Sequence, residues 1–331
     1  MSSLNPEPQF QPSWNASRFG RSRSRQQWQE GLIQTGLFLA GASCVGATGA
    51  IVFLLVSESV QFFQTVSLRE FLTSTDWSPL FEPPGYGILP LVSGTLTTTA
   101  IALLVAIPTG TIAAIYLSEF ASPALREGIK PILELLAGVP TIIYGYFALL
   151  LVTPLLQQLY SLAAPLLSTL LPSVFPTELG GFNMLGPGLV MGLMIMPLIS
   201  SISEDAMRAV PAYLREGSYA VGATRLQTAL HVVLPAAISG ISAAYILGIS
   251  RAIGETMIVA VAAGLQPTFT FNPLEPAATM TAYIVQVSLG DLPHGSIGYQ
   301  SIFAVGLVLM LITLACNIFG YWLAKRFRED Y

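Results

Sequence analysis

Two charged residues, Arg251 and Glu255, lie four positions apart inside an otherwise apolar stretch of the sequence. On a helix this spacing places both side chains on one face, where they can neutralise each other. An arginine at the centre of a bilayer costs about 2.5–3.5 kcal/mol, so it is expected to face protein or a water-filled path. A guanidinium also donates two parallel hydrogen bonds to a tetrahedral oxyanion. The pair therefore predicts either an anion site or a structural ion pair that fixes helix packing.

Three further residues of the apolar stretches are candidates for a gate or for the same pathway, namely Glu134, Pro140 and Thr98. Glu134 follows Lys130 by four positions, which favours pairing with that lysine or snorkelling towards the membrane surface. Pro140 is expected to kink its helix near Gly138. Thr98 belongs to a run of threonines that offers donors to an anion, although such hydroxyls more often bond to their own helix backbone.

Residues suited to catalysis or nucleotide binding are scarce. The two histidines and the two cysteines are isolated and show no metal-ligand spacing. Neither of the two lysines, Lys130 and Lys325, directly follows a glycine or precedes a serine or threonine, so the sequence contains no Walker A loop. A membrane-embedded enzyme would need a convergent set of nucleophile, base or metal ligands. We therefore expect no enzymatic activity, no cofactor and no metal, with any ATP hydrolysis on a separate chain.

The amino-acid composition indicates which class of protein holds these residues. Of 331 residues, 53% are hydrophobic and 10% are charged, against about 25% charged in soluble domains. This shortage of charged residues, together with the six apolar segments below, predicts a polytopic membrane protein with an all-α fold and six transmembrane helices. The six apolar segments long enough to cross a bilayer are about 33–62, 87–118, 130–156, 186–206, 236–264 and 298–324. The first is too long for a cleaved signal peptide and is expected to be an uncleaved anchor.

The basic residues predict the orientation of these spans. If both termini face the cytoplasm, twelve of the 14 Lys and Arg lie on the cytoplasmic side, Arg69 lies outside, and Arg251 lies within a span. Such a bias is the positive-inside signal. It places the loop 207–235, here called the coupling segment, in the cytoplasm. The predicted domains are an Arg-rich cytoplasmic tail at 1–31, a transmembrane domain at 32–327 and a short cytoplasmic tail at 328–331.

The coupling segment carries a spaced motif. Glu216 is followed by the small residues Gly217 and Ser218, by Gly222 six positions after it, and by Leu234-Pro235 at its end. Gly222 permits a sharp turn, and a proline in the first turn of a helix loses no hydrogen bond. The pattern resembles the coupling loop E-A-A-x3-G-x9-I-x-L-P of bacterial ABC-type importer permeases, with Gly and Ser in place of the two alanines. An amphipathic cytoplasmic loop without a partner is the alternative interpretation.

Other stretches narrow the resemblance. The Arg-Ala-Ile-Gly-Glu-Thr sequence at 251–256, the stretch 134–145 and the Thr-Met-Thr-Ala-Tyr-Ile sequence at 279–284 are similar to phosphate importer permeases of the PstC type. The resemblance covers 87–327 and implies the type I ABC importer permease fold, in a subunit that translocates inorganic phosphate across the bacterial inner membrane. It implies that Arg251 and Glu255 line the phosphate pathway. It also implies that Glu216, Gly222, Leu234 and Pro235 contact the ATPase.

The same resemblance implies the partners. These are a second permease subunit of the PstA type, a cytoplasmic ATPase dimer of the PstB type, an extracytoplasmic phosphate-binding protein of the PstS type and membrane lipid, but no nucleic acid. Sulfate, molybdate and phosphonate permeases share the coupling loop, so another oxyanion stays open as substrate. An ion-coupled secondary transporter is a further alternative, but it would favour inverted repeats, and the sequence shows no such symmetry.

Overall fold

A computed structural model describes residues 23–79, 81–170, 178–293 and 295–326. Within these ranges the chain is helical, and its β-type pairing is limited to two isolated bridges, Trp77 with Tyr86 and Gly264 with Ala277. The predicted all-α fold is therefore confirmed. The amino-terminal tail up to residue 22, His294 and the predicted tail at 328–331 lie outside the described residues.

The described residues contain fourteen α-helices. They are α1 Arg23–Thr65, α2 Leu68–Thr73, α3 Leu89–Ile115, α4 Pro123–Ala137, α5 Thr141–Phe147, α6 Thr153–Leu170, α7 Leu185–Arg208, α8 Ala212–Ala220, α9 Arg225–Thr228, α10 Leu234–Ala236, α11 Ile238–Ile253, α12 Met257–Ala262, α13 Met280–Gln286 and α14 Ile297–Arg326. Wider π-type turns continue several of them, at Tyr116–Phe120 after α3, Ala148–Val152 between α5 and α6, and Ala229–Val233 between α9 and α10.

Five stretches of described helix are long and apolar enough to cross a membrane. They are Gln27–Thr65, Leu89–Phe120, Thr141–Leu162, Leu185–Arg208 and Ile297–Arg326. A bent pair, Arg225–Ala236 and Ile238–Ile253, meets at 72° and brings the number to six if it is one span. Four predicted spans, 33–62, 87–118, 186–206 and 298–324, each fall on one of these helical stretches.

The predicted third span, 130–156, is not one helix. The amphipathic helix α4 ends at Ala137, and α5 begins only at Thr141. Pro140 adopts an extended ψ of 131° and has no N–H, so it breaks the helix instead of kinking it. The hydroxyl of Tyr144 donates to the carbonyl of Leu136 across the break, at 2.8 Å. The apolar crossing is therefore Thr141–Leu162, and Glu134 lies outside it.

The predicted fifth span, 236–264, is also interrupted. Helix α11 ends at Ile253, three residues follow, and the short helix α12 begins at Met257. Glu255 holds this break in place because its Oε1 accepts the backbone amides of Met257 and Ile258 at 3.1 and 3.3 Å. These amides are among the groups that a helix start leaves without a partner. The carboxylate therefore caps the start of α12, and Glu255 is not part of α11.

The described residues between 55 and 326 form one compact unit whose centre is the packing of α7 against α3. Glycines of α7 let the two helices approach closely. A Cβ on Gly188 would lie 2.8 Å from Ile101, and a Cβ on Gly192 would lie 2.7 Å from Val105. Small residues serve this purpose at membrane helix interfaces, where van der Waals contact replaces the hydrophobic drive.

An aromatic cluster closes one end of this unit. The buried rings of Phe62, Phe71, Trp77, Tyr86 and Tyr283 pack edge to face. The segment 63–86 is thus tied to the helices by large buried side chains. Residues 23–54 form a separate unit, the amino-terminal part of α1. Within that unit the hydroxyls of Ser43 and Thr48 donate to carbonyls of their own helix, which suits a lipid environment.

Candidate functional site

The coupling segment folds as a helix, a turn and a second helix. Helix α8 ends after Ala220, and α9 starts behind the N-cap Thr224. Thr224 and Gln227 form a capping box, in which each side chain accepts the other residue's backbone amide. Across the turn the hydroxyls of Ser218 and Thr228 lie 2.9 Å apart and share a hydrogen bond. The two short helices are therefore joined as one piece.

Gly222 makes the turn with a φ of +85°. No heavy atom lies within 4 Å of the position that its Cβ would occupy. The position therefore requires glycine for its backbone conformation, which costs other residues about 1–2 kcal/mol, and not for lack of space. The predicted sharp turn is present.

The surface around this turn is exposed and partly apolar. Tyr213, Tyr219 and Val221 are all exposed, Val221 to 85%. Glu216 is exposed on the same helix and forms no ion pair within the described residues. Leu234 packs on the buried cluster that includes Met207 and Ile241, whereas Pro235 is exposed. An exposed apolar patch of this kind is typical of a protein contact surface.

Arg215 anchors α8 to the helix bundle. Its Nη2 lies 2.8 Å from Oε1 of Glu119, and its Nε is also within hydrogen-bonding distance of both carboxylate oxygens. Nη1 and Nη2 further donate to the carbonyls of Val210 and Met207 at 2.7 and 2.8 Å. The Glu119 side chain is only 5% exposed. The sequence does not indicate this pair, since the two residues are 96 positions apart and no local spacing connects them.

A second group of charges surrounds Glu204, whose side chain is 1% exposed. Lys130 and Arg126 of α4 lie 2.9 and 3.2 Å from its oxygens, and Arg208 lies 3.8 Å away. Lys130 also pairs with Asp205. Burial lowers the pKa of Lys130, but its hydrogen bonds to Asp205 and Glu204 outweigh burial and raise it. The cluster therefore fixes α4 to the end of α7.

This arrangement corrects the expectation for Glu134. Lys130 points to Glu204 and Asp205, so it does not pair with Glu134. Glu134 is exposed on α4, and its backbone carbonyl accepts the amide of Gly138 at the helix end. The i, i+4 spacing was a correct sign of a shared helix face, but the buried carboxylate of Glu204 competes more strongly for the lysine.

Arg251 and Glu255 do not form the predicted ion pair. Helix α11 ends at Ile253, so the two residues do not share a helix face. Glu255 is buried, 7% exposed, and caps α12. Arg251 is exposed and forms no ion pair within the described residues; its Nη2 lies 3.9 Å from the sulfur of Met194. The break separates a buried structural carboxylate from an exposed, unpaired cation.

Thr98 points to its own helix. It is buried, and its hydroxyl donates to the carbonyl of Gly94 at 2.8 Å. Its neighbour Thr95 has the more demanding role, because its hydroxyl accepts the backbone amide of Met280 at 3.0 Å. That contact joins α3 to the start of α13. The described residues contain no group of three or more His, Cys, Asp or Glu that could hold a metal.

Comparison with known proteins gives three findings. Residues 106–329 match the family described as the binding-protein-dependent transport system inner membrane component. A probable ABC transporter permease of Bacillus subtilis is 34% identical over 284 residues, 85% of this chain and 86% of that protein. The phosphate transport system permease protein PstC of Mesorhizobium japonicum is 34% identical over 274 residues, 80% of each chain.

Among solved structures, a bacterial alginate ABC transporter in complex with its alginate-loaded periplasmic protein matches with a TM-score of 0.58. The sequence identity is 18%, and the match covers 92% of this chain and 98% of that chain. A second structure of a bacterial ABC transporter that imports alginate gives a TM-score of 0.56 at 16% identity. These likenesses support the fold, but at such low sequence identity they say nothing about the substrate of this chain.

Proposed function

Because this chain belongs to the binding-protein-dependent transport inner membrane components, and is thus an ABC importer permease subunit, we propose that it conducts inorganic phosphate. The observation that carries this proposal is the exposed side chain of Arg251, which has no ion pair among the described residues and lies in α11, the apolar helix of the bent pair. Thirteen residues separate it from the start of α11 at Ile238, which is about 20 Å of helix.

The energetic cost of a charge in hydrocarbon argues against lipid as the neighbour of Arg251. Leu247, one turn earlier on the same helix, is also 50% exposed, so this face is open within the chain. A leucine there can contact lipid, but a charged guanidinium in hydrocarbon costs several kcal/mol. The face is therefore covered by a second permease subunit or lines a water-filled path. An unpaired guanidinium in such a path attracts an anion and matches the oxygens of a phosphate with its planar fork.

The relatives support phosphate over other oxyanions. PstC proteins of Mesorhizobium japonicum, Mycobacterium tuberculosis and Xylella fastidiosa are 32–34% identical to this chain over at least 77% of its length. The fold alone does not carry this choice, since the alginate importers share it. Sulfate, molybdate or phosphonate is the alternative substrate.

Three protein partners are proposed, and the exposed surface of the coupling segment supports the first of them, the ATPase. We assign the contact with a PstB-type ATPase to Glu216, Gly222, Leu234 and Pro235 and to the apolar side chains around them. A PstA-type permease would cover the α11 face, and a PstS-type binding protein would deliver phosphate from outside. With both termini in the cytoplasm, as the basic residues predict, ATP-driven movement reaches the bundle through α8. The Arg215–Glu119 pair is the rigid link in that path.

Uptake by the assembled transporter in proteoliposomes tests the proposal. Arg251→Gln removes the charge and is expected to abolish ATP-driven uptake of labelled phosphate, while the subunits still co-purify. Arg251→Lys keeps the charge without the fork and is expected to retain part of the uptake. Arg69→Gln, at an exposed arginine of α2 outside the coupling segment and the α11 face, is the control for loss of one positive charge. Normal uptake by Arg251→Gln, or a wild-type preference for sulfate or molybdate, would refute the assignment.

A further inference from the structure

A cavity of about 300 Å³ lies where the α3–α4 turn meets the end of α7 and the start of the coupling segment. Its lining includes three arginines on three different elements, Arg126, Arg208 and Arg215, and no acidic residue. We call it the arginine pocket. It is distinct from the Arg251 region, because none of its lining residues belongs to α11 or α12.

Two of these guanidinium groups keep unused donors. Arg215 uses Nε and both Nη atoms in its bonds to Glu119, Val210 and Met207. By contrast, Arg126 and Arg208 each contact Glu204 through Nε, and within the described residues their terminal Nη groups have no acceptor. A guanidinium has five N–H donors, four of them on the Nη atoms. The pocket therefore presents two open forks.

The charges around the pocket do not cancel. Four cations, Arg126, Lys130, Arg208 and Arg215, meet three carboxylates, those of Glu119, Glu204 and Asp205. The carboxylates of Glu119 and Glu204 are buried behind the arginines, 5% and 1% exposed. Because these carboxylates are buried, the electrostatic potential at the accessible surface of the pocket is more positive than the net charge of the group indicates.

Helix α4 adds a second, independent source of positive potential. It is fifteen residues long, begins at the pocket with Pro123, and has no acidic residue in its first turn. Its N-cap Ser122 accepts the amide of Leu125, and Pro123 has no N–H. Of these first helical residues only Ala124, which does not line the pocket, has an amide without an acceptor in the described chain. The start of a helix favours anions through these amides and through its dipole.

We propose that the arginine pocket binds a phosphate group, either of inorganic phosphate or of an anionic lipid headgroup. The ligand would join the Nη atoms of Arg126 and Arg208 and lie beside Arg215. It would thereby connect α4, the end of α7 and α8, and hold the coupling segment in one position against the bundle. This site is additional to the proposed transport pathway, and its existence does not depend on the transported substrate.

The variant that tests this pocket is Arg208→Gln. Arg208 is 47% exposed and lies 3.8 Å from Glu204, so its loss leaves the Glu204 cluster held by Arg126 and Lys130. Arg225→Gln is the matched control, an exposed arginine of the coupling segment outside the pocket. Both variants are made in the assembled transporter that also carries Arg251→Gln, so that phosphate bound in the pathway does not contribute.

Binding is measured in two arms. In nanodiscs of phosphatidylcholine, equilibrium binding of labelled inorganic phosphate is expected to weaken about tenfold in Arg208→Gln, the loss expected for charge-assisted hydrogen bonds, and to stay unchanged in Arg225→Gln. If free phosphate does not bind, native mass spectrometry of the complex from phosphatidylglycerol-containing nanodiscs is expected to show retained lipid that Arg208→Gln loses. Equal behaviour of the two variants in both arms would overturn the proposal. Failure of the proposed Arg251 pathway would be seen in the uptake assay instead, as normal phosphate uptake by Arg251→Gln.

Discussion

Replacing Glu119 by glutamine removes the carboxylate that holds α8 to the helix bundle. Its side chain is 5% exposed and that of Arg215 is 19% exposed. Removing one partner of a buried ion pair costs about 3–5 kcal/mol, because the other charge stays buried without compensation. Arg215 is partly exposed and keeps its bonds to the carbonyls of Val210 and Met207. We therefore expect the lower end, about 3 kcal/mol.

A double-mutant cycle separates the pair from its surroundings. It compares Glu119→Gln, Arg215→Gln and the double variant, and residues in direct contact are expected to show about 1–3 kcal/mol of coupling. Asp205→Asn is the control, because Asp205 is also paired, with Lys130, but is 63% exposed. An exposed pair contributes about 0–1 kcal/mol. The control therefore reports the effect of removing a carboxylate without uncovering a buried cation.

The assay measures both stability and coupling of the assembled transporter. Thermal unfolding in detergent gives the loss of stability, and the ratio of transported substrate, with phosphate as the proposed substrate, to hydrolysed ATP gives the coupling. Glu119→Gln is expected to lower the unfolding midpoint and this ratio, because α8 then loses its link to the end of α3 while it stays bonded to the end of α7. Additive effects in the cycle, or equal effects of Glu119→Gln and Asp205→Asn, would refute the view that the pair is a rigid link.

Two further predictions compare neighbouring residues of the same type. Gly222→Ala is expected to lower the free energy of unfolding by about 1–2 kcal/mol, because Gly222 has a φ of +85°, and to lower transport per ATP. Gly217 is helical and in open space, so Gly217→Ala is expected to raise the free energy of unfolding by about 0.5–1 kcal/mol. Equal thermal shifts of the two variants would contradict this prediction. Thr95→Val leaves the buried amide of Met280 without its acceptor and is expected to cost about 1–3 kcal/mol. Thr98→Val removes a bond within one helix and is expected to unfold close to wild type with normal phosphate uptake; uptake lost in Thr98→Val would show that its hydroxyl serves the pathway.

The interrupted spans show where hydropathy is a sufficient guide and where it is not. A run of apolar residues predicts a crossing because the bilayer requires about 20 of them, and four crossings lie where such runs predict them. The runs at 130–156 and 236–264 continue across Pro140 and Gly254, which hydropathy averages over. In the folded chain those positions end helices, since Pro140 lacks an amide and the carboxylate of Glu255 accepts the first amides of α12.

Local patterns of the sequence determined the membrane class, most crossings, the turn at Gly222 and the permease resemblance. Each depends on residues within one continuous stretch of about 20 positions or fewer, where composition and backbone preference act directly. Only the folded chain shows which charges meet: Lys130 binds Glu204 instead of Glu134, Arg215 binds Glu119, and Arg251 has no ion-pair partner among the described residues. Pairing of charges depends on distance and burial in three dimensions, and residues 74 or 96 positions apart carry no sign of that proximity in their spacing.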